Sequence, residues 1–283
     1  MEFVYEIIQF IIYTGLIVLI SKYILVKTLR NLAENLKLKP KTVGNIAGIA
    51  TSVPELLTIC ASSYSGLMSA SIYNVLSSNV INLIQYYGAI ILNRNQKHLK
   101  NKAIKVDLFL VILTIILPII FIAVKGELQI LMVPVLIFLY LGFRKIDNNA
   151  HKLYLKHQDK EIEEIQNKED RWERGNKRKI VKNTLILGLT GILLFIIGNL
   201  LGDTLENLCL RFNVPQLIIG VILGIVTSIP ELITFFESQK HYSKNKDDIL
   251  GVVEATNNLL TSNMMNLFII QSVGIIVFAI FHG

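Results

Sequence analysis

The chain has 283 residues, 52% apolar and 17% charged, with a formal net charge of +7 and a mean hydropathy of +0.53. Soluble proteins are about 25% charged; here the deficit comes from nearly charge-free stretches of ~20 residues, the length a helix needs to cross a bilayer's hydrocarbon core. This composition excludes a secreted disulfide scaffold, a cytosolic enzyme with a water-exposed surface and, despite the positive charge, a nucleic-acid-binding domain. The two cysteines, Cys60 and Cys209, match neither metal-ligand spacing nor a disulfide framework.

In chain order the apolar runs predict eight spans, approximately Phe3 to Val26, Thr42 to Ala61, Met68 to Leu92, Leu108 to Val124, Leu128 to Phe143, Thr184 to Leu201, Gln216 to Phe236 and Ile249 to Ile276. The first opens with Glu2 and Glu6, where a cleavable signal peptide carries bases, and its apolar run is too long for one, so it is expected to stay as a helix. Lys and Arg concentrate in alternate connections: the first, third, fifth and seventh, with their flanks, hold 26 of the 28. Because cytoplasmic loops carry the excess of bases, these four connections are expected in the cytoplasm and both termini outside. The fifth connection, residues 144–183, mixes twelve bases with eight acids and reads as a charged, solvated helical linker between two membrane halves, 1–143 and 184–283. The histidines suggest no role.

The chain contains a repeat. Gly44 to Thr58 reads GNIAGIATSVPELLT and Gly220 to Thr234 reads GVILGIVTSIPELIT, identical at ten of fifteen positions at an offset of 176. A second match follows each, NVLSSNVINL from Asn74 and NLLTSNMMNL from Asn258, at an offset of 184; the eight extra residues fit the polar connection Lys240 to Asp248. On the expected topology the first copy runs from cytoplasm to outside and the second from outside to cytoplasm. The units are therefore inverted, the architecture of secondary transporters with one site near the bilayer midplane.

The repeated residues have a shared chemistry. Pro54 and Pro230 lack an amide proton, so carbonyls one turn earlier, near Ala50 and Val226, lose their helical partners. Broken backbone at this depth is tolerated where it lines a cavity. Thr51, Ser52, Thr227 and Ser228 add hydroxyls on the same turn. Glu55 and Glu231 sit inside apolar spans, where a carboxylate is costly unless paired or protonated, and no Lys or Arg lies at a comparable depth. The missing partner is a bound cation or a proton; the plainer alternative is a protonated glutamate capping each kinked helix. Ser78 with Asn82, and Ser262 with Asn266, share a helix face at i, i+4 and can join the pocket, although such residues also serve helix packing. The resulting set is all oxygen, with no His or Cys, and suits Ca²⁺ or Na⁺ rather than Zn²⁺ or Cu⁺. Glu254, one turn before Asn258, reads as an interfacial acid that reaches water or as an acid on an ion approach path.

TSVPE followed by NVLSSNVIN, and TSIPE followed by NLLTSNMMN, resemble the two α-repeats of the sodium/calcium exchanger (cation/Ca²⁺ antiporter) superfamily over roughly residues 30–92 and 190–276. The resemblance implies an all-α integral membrane fold, here about eight transmembrane helices with inverted, proline-broken repeats, and a transporter rather than an enzyme. No cofactor is implied, since Ca²⁺ and Na⁺ are the transported ions; the other partner is the lipid bilayer, and the small size fits a prokaryotic plasma membrane. Carried over, Glu55 and Glu231 are the principal Ca²⁺ ligands. Thr51, Ser52, Ser78, Thr227, Ser228 and Ser262 supply further oxygens, with Asn82 and Asn266 central. The first and sixth spans would be long helices that slide to switch access. Three departures stand out. The family's glycines before Thr-Ser are Ala50 and Val226, and those before Ser-Asn are Ser77 and Thr261; Asn82 and Asn266 are amides where potassium-dependent branches place an aspartate; two of the family's ten helices are missing. A homodimer would cover the flank left by the missing pair, or the chain is a reduced variant. Na⁺/Ca²⁺ exchange is the expected function, with H⁺-coupled exchange and a non-transporting cation sensor as the alternatives.

Overall fold

The computed structural model describes residues 2–35, 40–123, 130–154, 177–243 and 248–283. Every regular element among them is helical, as a bilayer demands of a chain that must satisfy its own backbone. The elements are α1 (Glu2–Ile20), continued by a π-helical turn (Ser21–Val26) into α2 (Lys27–Asn35), α3 (Pro40–Thr51), α4 (Val53–Tyr64), α5 (Met68–Leu92), α6 (Lys102–Ala123) and α7 (Met132–Tyr154). The second half has α8 (Lys177–Glu206), α9 (Gln216–Thr227), α10 (Ile229–Ser243), α11 (Asp248–Met264) and α12 (Gln271–His282), the last two joined by a π-helical turn at Met265–Ile270.

Seven stretches among the described residues are long and apolar enough to cross a membrane. They match seven of the eight expected spans. The fifth span falls on α7, whose apolar first half runs on into polar sequence from Arg144 to Tyr154. Residues 155–176, most of the expected linker, and residues 244–247 of the seventh connection lie outside the described residues.

The distribution of side chains is inside-out relative to a soluble protein. Ile8, Ile11 and Leu19 of α1, and Leu185, Leu189, Ile192 and Phe195 of α8, face outward, whereas Asn74, Ser78, Asn79, Asn82, Asn258, Ser262, Asn263 and Asn266 are fully buried. Hydrocarbon solvates the apolar flank, and the polar groups satisfy one another within the bundle.

Two helix pairs form the centre: α3 crosses α11, and α9 crosses α5. Each crossing joins the first helix of one repeat to the second motif of the other. Glycines permit the close approach. A Cβ on Gly44 or Gly48 would lie 2.4 Å from the carbonyl oxygen of Glu254 or 2.7 Å from that of Asn258. On the other side a Cβ on Gly220 would lie 2.5 Å from the Ala70 carbonyl oxygen, and one on Gly224 would lie 2.0 Å from Ser77 Oγ. These four glycines are repeat-related pairs, and close backbone approach through small residues is the usual packing device between helices in lipid.

Outside this centre, α1 packs along α8, and α4 also lies against α8. The far ends of the long pair are pinned by Asn207 Nδ2 donating to Glu6 Oε1 at 2.9 Å and by an Arg211–Glu2 ion pair at 2.7 Å.

Candidate ion-binding site

The proline motif breaks both repeat helices at the same place. Between α3 and α4, Ser52 has φ −81° and ψ 0°, and Pro54 stands at the start of α4. Between α9 and α10, Ser228 has φ −78° and ψ −1°. Pro54 and Pro230 cannot donate to the carbonyls of Ala50 and Val226, so those oxygens face the break without their i+4 partner. Ser52 Oγ donates to the Gly48 carbonyl at 2.8 Å, and Ser228 Oγ to the Gly224 carbonyl at 2.7 Å. Both serines thus bond back to the helix before them, and helical bonding resumes directly after the break, with Leu56 N donating to the Ser52 carbonyl at 3.0 Å and Leu232 N to the Ser228 carbonyl at 3.4 Å.

Around these breaks the expected residues converge. Thr51, Ser52, Glu55, Ser78, Asn82, Thr227, Ser228, Glu231, Ser262 and Asn266 are each at most 1% exposed, and Ala50 is fully buried; Val226 is half-buried. Ser78 Oγ donates to Glu55 Oε1 at 3.1 Å, and Ser262 Oγ to Glu231 Oε1 at 2.9 Å. The halves then interlock: Ser52 Oγ lies 3.0 Å from Ser262 Oγ, and Ser228 Oγ lies 3.4 Å from Ser78 Oγ. Thr227 faces Glu55 and Thr51 faces Glu231, and Glu55 lies within electrostatic reach of Glu231. Ten residues from six helices of two repeats therefore surround one locus.

Asparagines complete it. Asn82 Nδ2 donates to Asn263 Oδ1 at 3.1 Å and Asn266 Nδ2 to Asn79 Oδ1 at 3.2 Å. Asn79 and Asn263 also bond each other's backbone, Asn79 Nδ2 to the Asn263 carbonyl at 3.3 Å and Asn263 Nδ2 to the Asn79 carbonyl at 3.1 Å. With their amide protons engaged, Asn82 Oδ1 and Asn266 Oδ1 are left as buried acceptors without a hydrogen-bond partner, and so are Glu55 Oε2 and Glu231 Oε2. Four orphaned oxygens, in two repeat-related pairs, form a site that lacks positive charge. Buried acceptors without donors cost roughly 1–3 kcal/mol each, so such a constellation fits cations.

One turn further out, Asn74 Nδ2 donates to Thr58 Oγ1 at 2.7 Å, and Asn258 Nδ2 to Thr234 Oγ1. These four residues were not among the expected ligands, although their identity in both repeats marked them. The replaced glycines have a structural explanation. Ser77 Oγ turns to the Tyr73 carbonyl at 2.7 Å and lies against Gly224, while Thr261 Oγ1 donates to Asn45 Oδ1 at 2.8 Å and lies against Gly48. The bulk at 77 and 261 is met by a glycine on the facing helix and points into the helix crossings.

Two expectations fail. Glu254 does not reach water: it is 1% exposed and accepts from Ser238 Oγ at 2.6 Å. His151 does have a structural place, because α7 carries the start of the charged segment into the bundle. Its Nε2 lies 2.8 Å from Asp107 Oδ2 and 3.4 Å from Asp147 Oδ1, and Lys41 Nζ lies 2.7 Å from Asp147 Oδ1. Arg144, 3.7 Å from Asp147 Oδ2, also donates to Asn45 Oδ1 at 3.4 Å. This network ties the first turn of α3 to α6 and α7.

The sodium/calcium exchanger protein family model matches residues 6–144 and 182–282, which together hold every residue of the site. The chain belongs to the sodium/calcium exchanger family. It is thus a member of a family of cation/Ca²⁺ antiporters, a transporter family rather than an enzyme family. A relative from Alkalimonas amylolytica, named as an antiporter, CaxA, is 26% identical over 255 residues, 87% of this chain and 73% of the relative. The fold is similar to that of the sodium-calcium exchanger NCX_Mj soaked with 100 mM Na⁺ and 10 mM Sr²⁺, at a TM-score of 0.52 and 21% identity over 97% of this chain and 83% of that one. The same protein soaked with 10 mM Na⁺ and zero Ca²⁺ matches at a TM-score of 0.51 and 20% identity, over 95% and 82%. At these identities the likeness is one of fold.

Proposed function

We propose that the chain exchanges Na⁺ for Ca²⁺ across a plasma membrane at the site between the two repeats, exposing it alternately to each side. The observation that carries this reading is the symmetric surplus of acceptors: Glu55 Oε2, Glu231 Oε2, Asn82 Oδ1 and Asn266 Oδ1, buried and without donors. Two carboxylates and several neutral oxygens match a divalent ion that takes six to eight oxygen ligands at about 2.3–2.6 Å. With Ca²⁺ gone, the same two charges call for at least two monovalent cations, so one pocket serves both ions in turn and their gradients become coupled. The NCX_Mj structures concern extracellular ion exchange and induced binding-site occlusion in that protein; the shared fold supports the same class of cycle here.

On this reading Lys and Arg place the connections at 93–101 and 144–183 in the cytoplasm, and both termini outside. The glycine crossings make α3 with α11, and α9 with α5, two firm pairs. The long α1 and α8, packed on each other, are the elements that move against them. Ca²⁺ uptake into proteoliposomes tests the coupling: uptake is expected when the lumen holds Na⁺ and not when it holds K⁺. Uptake driven by a pH gradient without Na⁺ would instead assign the proton as the coupling ion.

A further inference from the structure

Beyond the central site, α10 and α11 are joined by a ladder of side chains. Glu231 accepts from Ser262 at 2.9 Å, Thr234 accepts from Asn258, and Ser238 donates to Glu254 at 2.6 Å. On α11 the three positions are four residues apart, so they share a face, and each step advances about 6 Å along the axis. Every rung presents oxygen, and the third is fully buried, with Ser238 and Glu254 each 1% exposed. Gly44 of α3 lies directly against the Glu254 backbone.

The first repeat has the same two inner rungs, Glu55 with Ser78 and Thr58 with Asn74. Its third rung differs. Ser62 matches Ser238 and likewise donates one turn back, to the Thr58 carbonyl at 2.7 Å, but the position equivalent to Glu254 is Ala70. The ladder therefore ends in a carboxylate on one side of the membrane and in a methyl group on the other. The glycine crossings do not distinguish the two sides, since α5 and α11 cross their partner helices through repeat-related glycines.

We propose that Glu254, with Ser238, is a further cation station that receives a divalent cation from the cytoplasm and passes it over Asn258 and Thr234 to Glu231. The station rests on the exchange and orientation proposed above and deepens them: it gives the low-Ca²⁺ side a negatively charged step that the external side lacks. It acts by charge, whereas a residue that merely pins α10 to α11 would act by its hydrogen bond. Glu254→Gln separates the two roles, because the amide oxygen still accepts from Ser238.

The test is Ca²⁺ transport in sided membrane vesicles. In Glu254→Gln the half-saturating Ca²⁺ concentration is expected to rise about tenfold at the cytoplasmic face and stay within about twofold at the external face. An unchanged cytoplasmic value, or equal shifts at both faces, would overturn the station while leaving the exchanger intact. Absence of Ca²⁺ flux in the wild-type chain would instead count against the exchange reading. The path is then decided by Glu254→Cys in a Cys60→Ser, Cys209→Ser background, treated with a membrane-impermeant thiol reagent. Modification from the cytoplasmic face alone supports the path; a thiol inert from both faces, or modified from the external face as well, refutes it.

Discussion

Ser52 and Ser262, 210 residues apart in the chain, bring their hydroxyl oxygens within 3.0 Å of each other. Ser52 Oγ also lies 2.8 Å from the Gly48 carbonyl, and Ser262 Oγ lies 2.9 Å from Glu231 Oε1. Three contacts share two hydroxyl protons. The set closes when Glu231 carries a proton that is relayed through both serines, or when a cation sits among oxygens whose protons point away. The repeat-related set of Ser228, Ser78, Gly224 and Glu55 poses the same alternative. A proton and a metal ion are thus alternative ways to complete the bonding of these six side chains.

Glu55→Gln and Glu231→Gln each remove a charge while keeping shape. Either variant is expected to lower Ca²⁺ flux at least ~100-fold, equivalent to about 2.7 kcal/mol. The check is radiolabelled Ca²⁺ uptake normalised to protein that elutes as a single species.

Gly224→Ala puts a methyl group 2.0 Å from Ser77 Oγ and 2.8 Å from the Asn74 carbonyl oxygen. Overpacking of this kind costs about 1–3 kcal/mol. A lower unfolding temperature in detergent is expected, and adding Ser77→Gly should recover only part of it, because the carbonyl contact remains.

Ser77→Gly and Thr261→Gly alone probe the replaced glycines. Since both side chains lie in helix crossings, neither variant should alter which ion is transported, and the half-saturating Ca²⁺ concentration should stay within about twofold. Competition by Na⁺, K⁺ and Sr²⁺ in the flux assay measures this.

Lys41→Met strips Asp147, fully buried, of its closest cation. Removing one partner of a buried pair costs about 3–5 kcal/mol, and the partial exposure of Lys41 places this variant at the lower end. Adding Asp147→Asn should restore part of the loss, a non-additivity readable from thermal unfolding of the single and double variants.

Much of this arrangement was legible in the sequence because its causes are local or repeated. Pro54 and Pro230 dictate the two breaks whatever surrounds them, and a motif written twice in opposite orientation identifies its own facing partner. The features that escaped are contacts between segments distant in sequence. Glu254 near a helix end looks like a snorkelling acid, and only the opposing Ser238 on α10 shows that it is sealed inside. Asp147 and His151 read as the beginning of a solvated charge run until α6 supplies Asp107 and α3 supplies Lys41. Ser77 and Thr261 looked like added bulk beside the ions, yet Gly224 and Gly48 on the facing helices accommodate them.

The most direct test of the central claim is calorimetric Ca²⁺ binding to the purified chain, in parallel with Glu55→Gln and Glu231→Gln. One Ca²⁺ per chain, displaced competitively by Na⁺ and lost in both variants, is the predicted result. Ca²⁺ binding that persists at the wild-type affinity in either variant, or that Na⁺ does not displace, would contradict a pocket shared by the two ions and built on both glutamates.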